Sequence, residues 1–295
     1  MEAIWQWGIN LIVAIQQFHT PLLGSIFLAI TFLGDEQFYL ILLPLLLWCV
    51  NYSFAAGLSV FFLFSNYLNI ILKDLFQQPR PFDINPALKL SHYSGYGMPS
   101  GHAQMTVMVW GAMAYKVRKT WFWLLAVAIV LLVGFSRVYL GVHFPTDVFA
   151  GWIIGVILLV VYIVFGEMVG SWLAGLKLGW QLLLAAGVPL LLLLTHPVTD
   201  VITTAGTLLG MATGLVLARR YISFSVGGPW WQRAVRFLIG VIILFALYLG
   251  LKAVFPGDAS SMGAVFRFLR YAIIGMWVTL GAPWLFRMTR LASAE

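Results

Sequence analysis

Two histidines in this sequence stand close to arginine and aspartate residues whose spacing suits phosphoryl transfer. His143 follows Arg137 by six positions and precedes Asp147 by four. A carboxylate four residues further on can accept one imidazole N–H, which fixes the tautomer and leaves the other nitrogen as a nucleophile. His102 can donate a proton to the leaving oxygen and later activate water. The predicted catalytic residues are therefore His143, His102 and Asp147.

Residues that could hold a phosphate group lie in the same three segments. The stretch "KDLFQQPRP" carries Lys73 and Arg80, and "SRVYLGVHFPTD" carries Arg137. A phosphate ester carries two negative charges, and guanidinium groups can bind two of its oxygens at once. In "MPSGHA", Ser100 suits a helix N-cap, and Gly101 allows an anion to approach the backbone at that helix start. The predicted phosphate-binding residues are Lys73, Arg80, Ser100, Gly101 and Arg137.

Neither a metal nor another cofactor is predicted. Basic side chains can neutralise the phosphate charge, and the sequence lacks the carboxylate cluster of a magnesium-dependent phosphatase. Cys49 is the one cysteine of the chain and lies in an apolar run, so neither an intrachain disulfide nor a thiol metal site is expected.

The elements that must position these residues are helices in a membrane. The chain has 295 residues, of which 62% are hydrophobic and 9% are charged. Soluble domains average about 25% charged residues. Apolar runs of membrane-spanning length predict nine spans, at 37–50, 54–73, 100–117, 121–140, 147–166, 179–195, 200–218, 237–254 and 263–286. The first residues predict a helix lying at the interface, and the short apolar stretch 21–33 predicts a re-entrant segment.

The distribution of charge along these spans predicts their orientation. Passing the spans alternately through the bilayer places a large excess of basic residues on one side, and equal numbers of basic and acidic residues on the other. The positive-inside rule assigns the first side to the cytoplasm. All three segments with candidate site residues fall on the other side. The net charge of +7 therefore reports topology, and no nucleic-acid partner is predicted.

The three segments together carry the resemblance to a known family. Lys-x6-Arg-Pro, Pro-Ser-Gly-His and Ser-Arg-x5-His-x3-Asp resemble the signature of the type 2 phosphatidic acid phosphatase (PAP2) family. All motif positions are present, namely Lys73, Arg80, Pro81, Pro99, Ser100, Gly101, His102, Ser136, Arg137, His143 and Asp147. The resemblance implies a helical core of about six spans, metal-independent dephosphorylation and a phosphohistidine intermediate. It also implies a site facing the periplasm, the ER lumen or the cell exterior.

The predicted fold class is thus all-α, a polytopic membrane helical bundle with a six-span PAP2-like core and extra C-terminal spans. Three segments are predicted: interfacial or re-entrant helices at 1–34, the catalytic core at 35–166, and a C-terminal transmembrane extension at 167–295. The extra spans are similar to those of the sphingosine-1-phosphate phosphatase and glucose-6-phosphatase branches.

Two basic residues in the extension have two interpretations. Arg267 and Arg270 are three positions apart and share one face of the last predicted span. They could anchor the helix at the interface, as basic residues near span ends usually do, or contact the substrate headgroup as a second clamp. His196 and Asp200 have the same spacing as His143 and Asp147, but the other motif residues are missing around them. They are interpreted as a loop histidine and a helix-capping aspartate.

The leading hypothesis is a membrane phosphatase whose partners are the bilayer and a lipid phosphate, with the oligomeric state left open. Candidate substrates are polyprenyl diphosphate, phosphatidate, phosphatidylglycerol phosphate and sphingoid-base phosphate. A phosphotransferase or a sugar-phosphate phosphatase would use the same residues. A lipid transporter or scramblase is the non-enzymatic alternative, and the sequence gives no clear pair of broken helices or charges at span centres to favour it.

Overall fold

The computed structural model describes residues 2–222, 224–257 and 260–292, and this part of the chain is helical with no β-strand. The helices are α1 (Glu2–Gln16), α2 (Pro21–Phe32), α3 (Glu36–Cys49), α4 (Tyr52–Phe76), α5 (Pro81–Ile84), α6 (Gly101–Val117), α7 (Thr120–Tyr139), α8 (Pro145–Gly175), α9 (Leu178–Thr195), α10 (Thr199–Tyr221), α11 (Trp230–Val254), α12 (Gly263–Met276) and α13 (Ala282–Met288). A 3-10 turn, Pro86–Leu88, follows α5, and a π-helical turn, Trp277–Gly281, joins α12 to α13. The predicted all-α class is confirmed.

Seven helical segments in the described part of the chain are long and apolar enough to cross a bilayer on their own, and the predicted number of nine stays a prediction. The predicted spans 37–50 and 100–117 do not qualify alone, because α3 has 14 residues and α6 has 17. α6 nevertheless lies at the lower end of the range of about 17–25 residues that can span a bilayer. Helices α2 and α3 qualify as a pair bent by 44°, which would give eight spans. That bent pair is either a broken span or a re-entrant loop.

The chain forms two compact units that alternate along the sequence. The first unit contains Met1–Tyr39 and Leu68–Gly166, and the second contains Leu40–Tyr67 and Glu167–Glu295. Every predicted catalytic and phosphate-binding residue belongs to the first unit. The division into segments 1–34, 35–166 and 167–295 stays a prediction, because it concerns the role of each segment, whereas the two units are defined by their internal contacts only.

Helix α1 is part of the first unit and packs against the segment that carries His143. Ile9 and Ile12 are buried in an apolar cluster with Phe144, the residue after His143. The side chain of Gln16 donates through Nε2 to the carbonyl oxygen of Tyr139, at 2.8 Å. The N-terminal helix is therefore part of the support for the segment that carries His143. Its predicted position at the membrane interface stays a prediction.

A tight turn between α7 and α8 sets the position of His143. Gly141 adopts a φ of 69°, a left-handed conformation that favours glycine. A Cβ at this position would collide with the carbonyl oxygen of Leu88. Leu140 and Val142 on either side are buried in a second apolar cluster. Pro145 then begins α8, where a missing backbone N–H costs nothing.

Close packing of α10 against α12 organises the second unit. Gly206, Gly210 and Gly275 lie where the two helices touch, and a Cβ on Gly210 would collide with the carbonyl oxygen of Ala272. Small residues of this kind allow helix backbones to approach closely within a membrane. The indole Nε1 of Trp48 donates to the carbonyl oxygen of Val278, at 2.9 Å, and thereby ties α3 to the turn after α12.

Candidate active site

Hydrogen bonds join the three motif segments in the first unit. Asn69 on α4 donates through Nδ2 to Oε1 of Gln104 on α6, at 2.8 Å. The backbone N–H of Ser100 donates to the carbonyl oxygen of Asp147, at 2.9 Å. Gln78, between Lys73 and Arg80 in the sequence, donates to Oδ1 of Asp147 at 2.6 Å. Segments that are far apart in the chain are therefore held at one place.

His143 and Asp147 form a buried pair across the first turn of α8. The imidazole Nδ1 lies 3.2 Å from Oδ2 of Asp147, and the two side chains are 2% and 0% exposed. The backbone N–H of Phe144 donates to the same oxygen at 2.9 Å. Together with the bond from Gln78, these contacts offset the cost of burying a carboxylate. The pair has the geometry that the spacing predicted.

Arg80 lies on the other side of the same imidazole. Its Nη1 is 3.2 Å from Nε2 of His143 and donates to the carbonyl oxygen of Val142 at 2.8 Å. Its Nε donates to the carbonyl oxygen of Gly95 at 2.7 Å. A guanidinium group can only donate, so Nε2 of His143 is an acceptor, and the proton of the neutral ring lies on Nδ1, facing Asp147.

The surroundings of His143 favour its neutral form. Burial is the largest cause and lowers the pKa of the imidazole well below its usual 6.5, and the positive charges of Arg80, Lys73 and Arg137 lower it further. A neutral imidazole with a free lone pair is the form that can act as a nucleophile.

Arg137 is buried, and two nitrogen atoms of its guanidinium group have no hydrogen-bond partner among the described residues. Its Nη1 donates to Oγ1 of Thr31 at 2.6 Å, and its Cζ lies 4.0 Å from the ring centre of Tyr93. The side chain is fully buried, and its Nε and Nη2 have no partner among the described residues. Its carbonyl oxygen accepts from the backbone N–H of His143 at 3.3 Å. Two unpaired guanidinium donors therefore lie beside Tyr93, whose ring centre is also 5.9 Å from Cζ of Arg80.

His102 pairs with a carboxylate from another part of the chain. Its Nε2 lies 2.7 Å from Oδ1 of Asp35, and Tyr93 donates its hydroxyl to the same oxygen at 3.1 Å. Thr106, one turn further along α6, donates to the carbonyl oxygen of His102 at 2.6 Å. The imidazole is thus oriented by Asp35, and the same tyrosine contacts both Asp35 and Arg137.

The remaining predicted phosphate-binding residues lie around this centre. Ser100 is the N-cap of α6 and accepts from the backbone N–H of Ala103 at 3.5 Å, and Gly101 begins the helix. Lys73 donates through Nζ to the carbonyl oxygen of Tyr96 at 2.7 Å. The loop that also supplies acceptors to Arg80 therefore lies against Lys73.

Four residues whose side chains contact those of His102, Asp147 or Arg137 were not predicted from the sequence: Thr31, Asp35, Gln78 and Tyr93. No sequence pattern links Asp35 to His102, which lies 67 positions away. Gln78 lies inside the first motif, but its residue type alone did not indicate a contact with Asp147. The contacts of Thr31 and Tyr93 are equally non-local.

The two other predicted residues, Arg267 and Arg270, belong to the second unit and line a cavity there. Their contact with the substrate headgroup stays a prediction. Within the described ranges, no three His, Cys, Asp or Glu side chains lie together in a way that could hold a metal ion. Metal independence itself stays a prediction.

Fold and site together define an integral, multi-pass membrane protein with a buried histidine–aspartate pair among cations. The family model described as "PAP2 superfamily" matches residues 54–171. The model described as "PAP2 superfamily phosphatase, transmembrane extension" matches residues 202–294. The chain belongs to the PAP2 superfamily.

Curated relatives agree with this assignment. The chain is 35% identical over 154 residues to phosphatidylglycerophosphatase B of Bacillus subtilis, covering 47% of this chain and 72% of that protein. It is 29% identical over 177 residues to lipid phosphate phosphatase delta of Arabidopsis thaliana, covering 54% of this chain and 42% of that protein. The chain thus spans less than half the length of the plant relative.

A solved structure shares the fold. The crystal structure of a transmembrane PAP2-type phosphatidylglycerolphosphate phosphatase from Bacillus subtilis matches with a TM-score of 0.51 and 28% identity. The match covers 57% of this chain and 88% of that one.

Proposed function

We propose that this protein is a membrane phosphatase that hydrolyses a lipid phosphate or diphosphate through a phosphohistidine intermediate on His143. The observation that carries the proposal is the His143 imidazole itself. It has its Nδ1 proton facing Asp147 and an unprotonated Nε2 directed at a guanidinium group. This arrangement suits attack of Nε2 on an electrophile whose negative oxygens are bound by cations.

The proposed chemistry has two steps. Nε2 of His143 forms a bond to phosphorus while the bond between phosphorus and the leaving oxygen breaks, and that oxygen takes a proton from His102. Water then attacks phosphorus, His102 accepts a proton from it, and the P–N bond breaks to release inorganic phosphate. Asp35 orients His102 in both steps and stabilises its protonated form.

Cations of the site would bind the phosphoryl oxygens. The unpaired Nε and Nη2 of Arg137 supply two buried donors, and the positive charge of Arg137 acts on the His143 imidazole. Arg80 and Lys73 donate to carbonyl oxygens of the loop at 94–96 and could exchange these neutral acceptors for charged ones. Charge-assisted bonds are the stronger, so phosphate would compete successfully with the loop for these donors.

A lipid substrate follows from the setting of the site. The chain is a multi-pass membrane protein, and the relatives that it matches are named for lipid phosphates and for phosphatidylglycerophosphate. A phosphate ester with apolar chains could therefore reach the site from the bilayer. Polyprenyl diphosphate, phosphatidate, phosphatidylglycerol phosphate and sphingoid-base phosphate all belong to this class of lipid phosphate esters.

Phosphate release from purified protein in detergent tests this function. The panel contains polyprenyl diphosphate, phosphatidate, phosphatidylglycerol phosphate, sphingosine phosphate and glucose phosphate, each with EDTA present. We expect lipid esters to be hydrolysed by the wild type and by His92→Ala, which changes an exposed loop histidine. His143→Ala should lose activity by a factor on the order of 10⁴ or more. Equal turnover in His143→Ala and His92→Ala would exclude His143 as the nucleophile.

The intermediate can be trapped separately. After brief mixing with ³²P-labelled substrate, His102→Ala should accumulate protein-bound label, because loss of the proposed base slows hydrolysis of the P–N bond. Phosphohistidine is labile in acid and stable in base, which distinguishes it from phosphoserine. Label that survives acid, or label that remains in a His102→Ala/His143→Ala double variant, would contradict the proposed intermediate.

The proposed site faces the non-cytoplasmic side. The charge asymmetry of the sequence supports this placement for nine spans, in which α6 and the bent α2–α3 pair both cross the bilayer. A single-cysteine series in right-side-out vesicles tests it. In a Cys49→Ala background, His92→Cys in the loop before α6 should react with an impermeant maleimide, whereas Arg118→Cys in the turn after α6 should react only after permeabilisation. The reverse pattern would place the site in the cytoplasm.

A further inference from the structure

A second group of cations lies in the second unit, where the end of α11 approaches the start of α12. Lys252, Arg267 and Arg270 line a cavity of about 230 Å³ together with Tyr248 and Tyr271. The ring centres of Tyr248 and Tyr271 are 6.4 Å apart in an edge-to-face arrangement, and both rings line the cavity. None of these five residues takes part in the proposed chemistry at His143.

Arg270 is the most buried of the three cations. Its side chain is 9% exposed, and its Nε has no hydrogen-bond partner among the described residues. Its Cζ lies 5.2 Å from the ring centre of Tyr271. Burying an unpaired guanidinium N–H costs free energy, and an ionisable side chain within an apolar helix usually marks a functional site. The Nε of Arg270 is therefore a donor that an anion in the cavity could satisfy.

The charge of the cavity favours a negatively charged ligand. Its described lining includes three basic side chains and no carboxylate. Asp258 follows Gly257 in the sequence and lies outside the described residues. Like charges around one cavity repel one another, and a ligand with negative oxygens would remove that repulsion. Arginine forks and an ammonium group are a suitable set of donors for a phosphate group.

The surface beside the cavity favours a lipid. Leu249, Leu269 and Ile273, on the same two helices, are 60%, 43% and 40% exposed. The cavity itself is smaller than the roughly 300 Å³ at which ordinary small-molecule pockets begin. It therefore fits a headgroup whose acyl chains would lie on the apolar helix surface outside.

We propose that Lys252, Arg267 and Arg270 form a binding site for the phosphate of an anionic membrane lipid. The site does not depend on the proposed phosphatase activity, because a lipid phosphodiester would fit it without being a phosphomonoester substrate. Bound lipid would stabilise the helix pair α11 and α12, since it binds the folded state only.

Native mass spectrometry of the full chain tests this proposal with phosphatidylglycerol, a phosphodiester lipid, and phosphatidylcholine as the zwitterionic comparison. We expect the wild type to retain phosphatidylglycerol in preference to phosphatidylcholine. Arg270→Gln and the double variant Lys252→Gln/Arg267→Gln should each reduce that retention by about tenfold, the value of a charge-assisted hydrogen bond. Arg220→Gln, an exposed arginine on α10 of the same unit, is the matched control and should bind as the wild type does.

Thermal unfolding gives a second measurement that does not depend on the behaviour of one variant. Phosphatidylglycerol should raise the unfolding temperature of the wild type and of Arg220→Gln by similar amounts, and that of Lys252→Gln, which changes an exposed side chain, by less. Equal stabilisation by phosphatidylcholine, or equal retention in all variants, would overturn the proposal. If millimolar inorganic phosphate stabilises the wild type as strongly as phosphatidylglycerol does, the lipid is overturned as the ligand.

Discussion

Nη1 of Arg80 lies 3.2 Å from Nε2 of His143, the nitrogen that would attack phosphorus. Because the guanidinium group cannot accept a hydrogen bond, this contact and the 3.2 Å contact to Asp147 together fix which nitrogen carries the proton. Arg80 is itself held by carbonyl oxygens of Gly95 and Val142. One arginine therefore sets the tautomer of the histidine and links it to the loop around Gly95.

Asp147→Asn tests the importance of that tautomer. The amide can present an N–H to Nδ1 and would then favour the tautomer whose proton lies on Nε2. We expect kcat to fall by about 10⁴-fold, as in other enzymes in which a histidine loses the carboxylate that orients it. Initial-rate kinetics on a lipid ester measure this, with circular dichroism as the control for folding. A rise in KM with kcat unchanged would show that Asp147 acts in substrate binding and does not set the tautomer.

Asp35→Asn tests the partner of His102. Removing the charge weakens a bond to a protonated imidazole, and such bonds contribute about 1.5–3 kcal/mol, so we expect a loss of about 10- to 100-fold in kcat. Burst kinetics should show phosphoenzyme accumulating if release of phosphate is the slower step. Glu36→Gln, at the neighbouring carboxylate, is the control for net charge. Equal losses in the two variants would rule out a specific role for the Asp35–His102 pair.

Tyr93 makes two contacts that substitutions can separate. Tyr93→Phe removes the hydroxyl bond to Asp35 but keeps the ring beside Arg137, so we expect a loss of less than about tenfold in kcat/KM. Tyr93→Ala also removes the ring, and a desolvated cation–π contact adds about 2 kcal/mol, or roughly 30-fold. Equal kinetics for the two variants would show that the ring does not position Arg137.

The lowered pKa of His143 predicts the pH dependence. The nucleophile must be neutral, so protonation of His143 sets the acid limb of kcat/KM, which should lie below the usual histidine value of about 6.5. Lys73→Gln removes a positive charge that opposes protonation, so the limb should move to higher pH. Lys89→Gln, whose ammonium lies 4.7 Å from the Phe82 ring, should leave it unchanged. A shift to lower pH in Lys73→Gln would contradict this assignment.

Gly141→Ala tests the turn before His143. The left-handed backbone and the contact with the Leu88 carbonyl both oppose a Cβ, so we expect a loss of more than about 1 kcal/mol in the free energy of unfolding. Gly170→Ala on α8 is expected to have the opposite effect on stability. A Cβ there meets nothing within 4 Å, and alanine in a helix should gain up to about 1 kcal/mol. Thermal unfolding in detergent measures both changes, and equal stability of the two variants would argue against strain at Gly141.

Helix type and apolar length were predictable, but which helices are long enough to span a bilayer alone was not. Apolar composition marks every stretch that avoids water, including α3 and α6, whereas crossing a bilayer also requires an unbroken length. α3, with 14 residues, and α6, with 17, do not qualify alone, which leaves seven segments that do. Those limits depend on local backbone geometry that composition does not specify.

The sequence by itself determined the pairing of His143 with Asp147 and the N-cap at Ser100, because both depend on neighbours within one helical turn. It also determined the membrane setting, since composition alone decides which solvent the helices prefer. Only the tertiary structure decided that Asp35 orients His102, that Thr31 and Tyr93 hold Arg137, and that Arg80 faces Nε2 of His143. These contacts join residues far apart in the chain, and their geometry is set by how the helices pack, which a one-dimensional pattern does not encode.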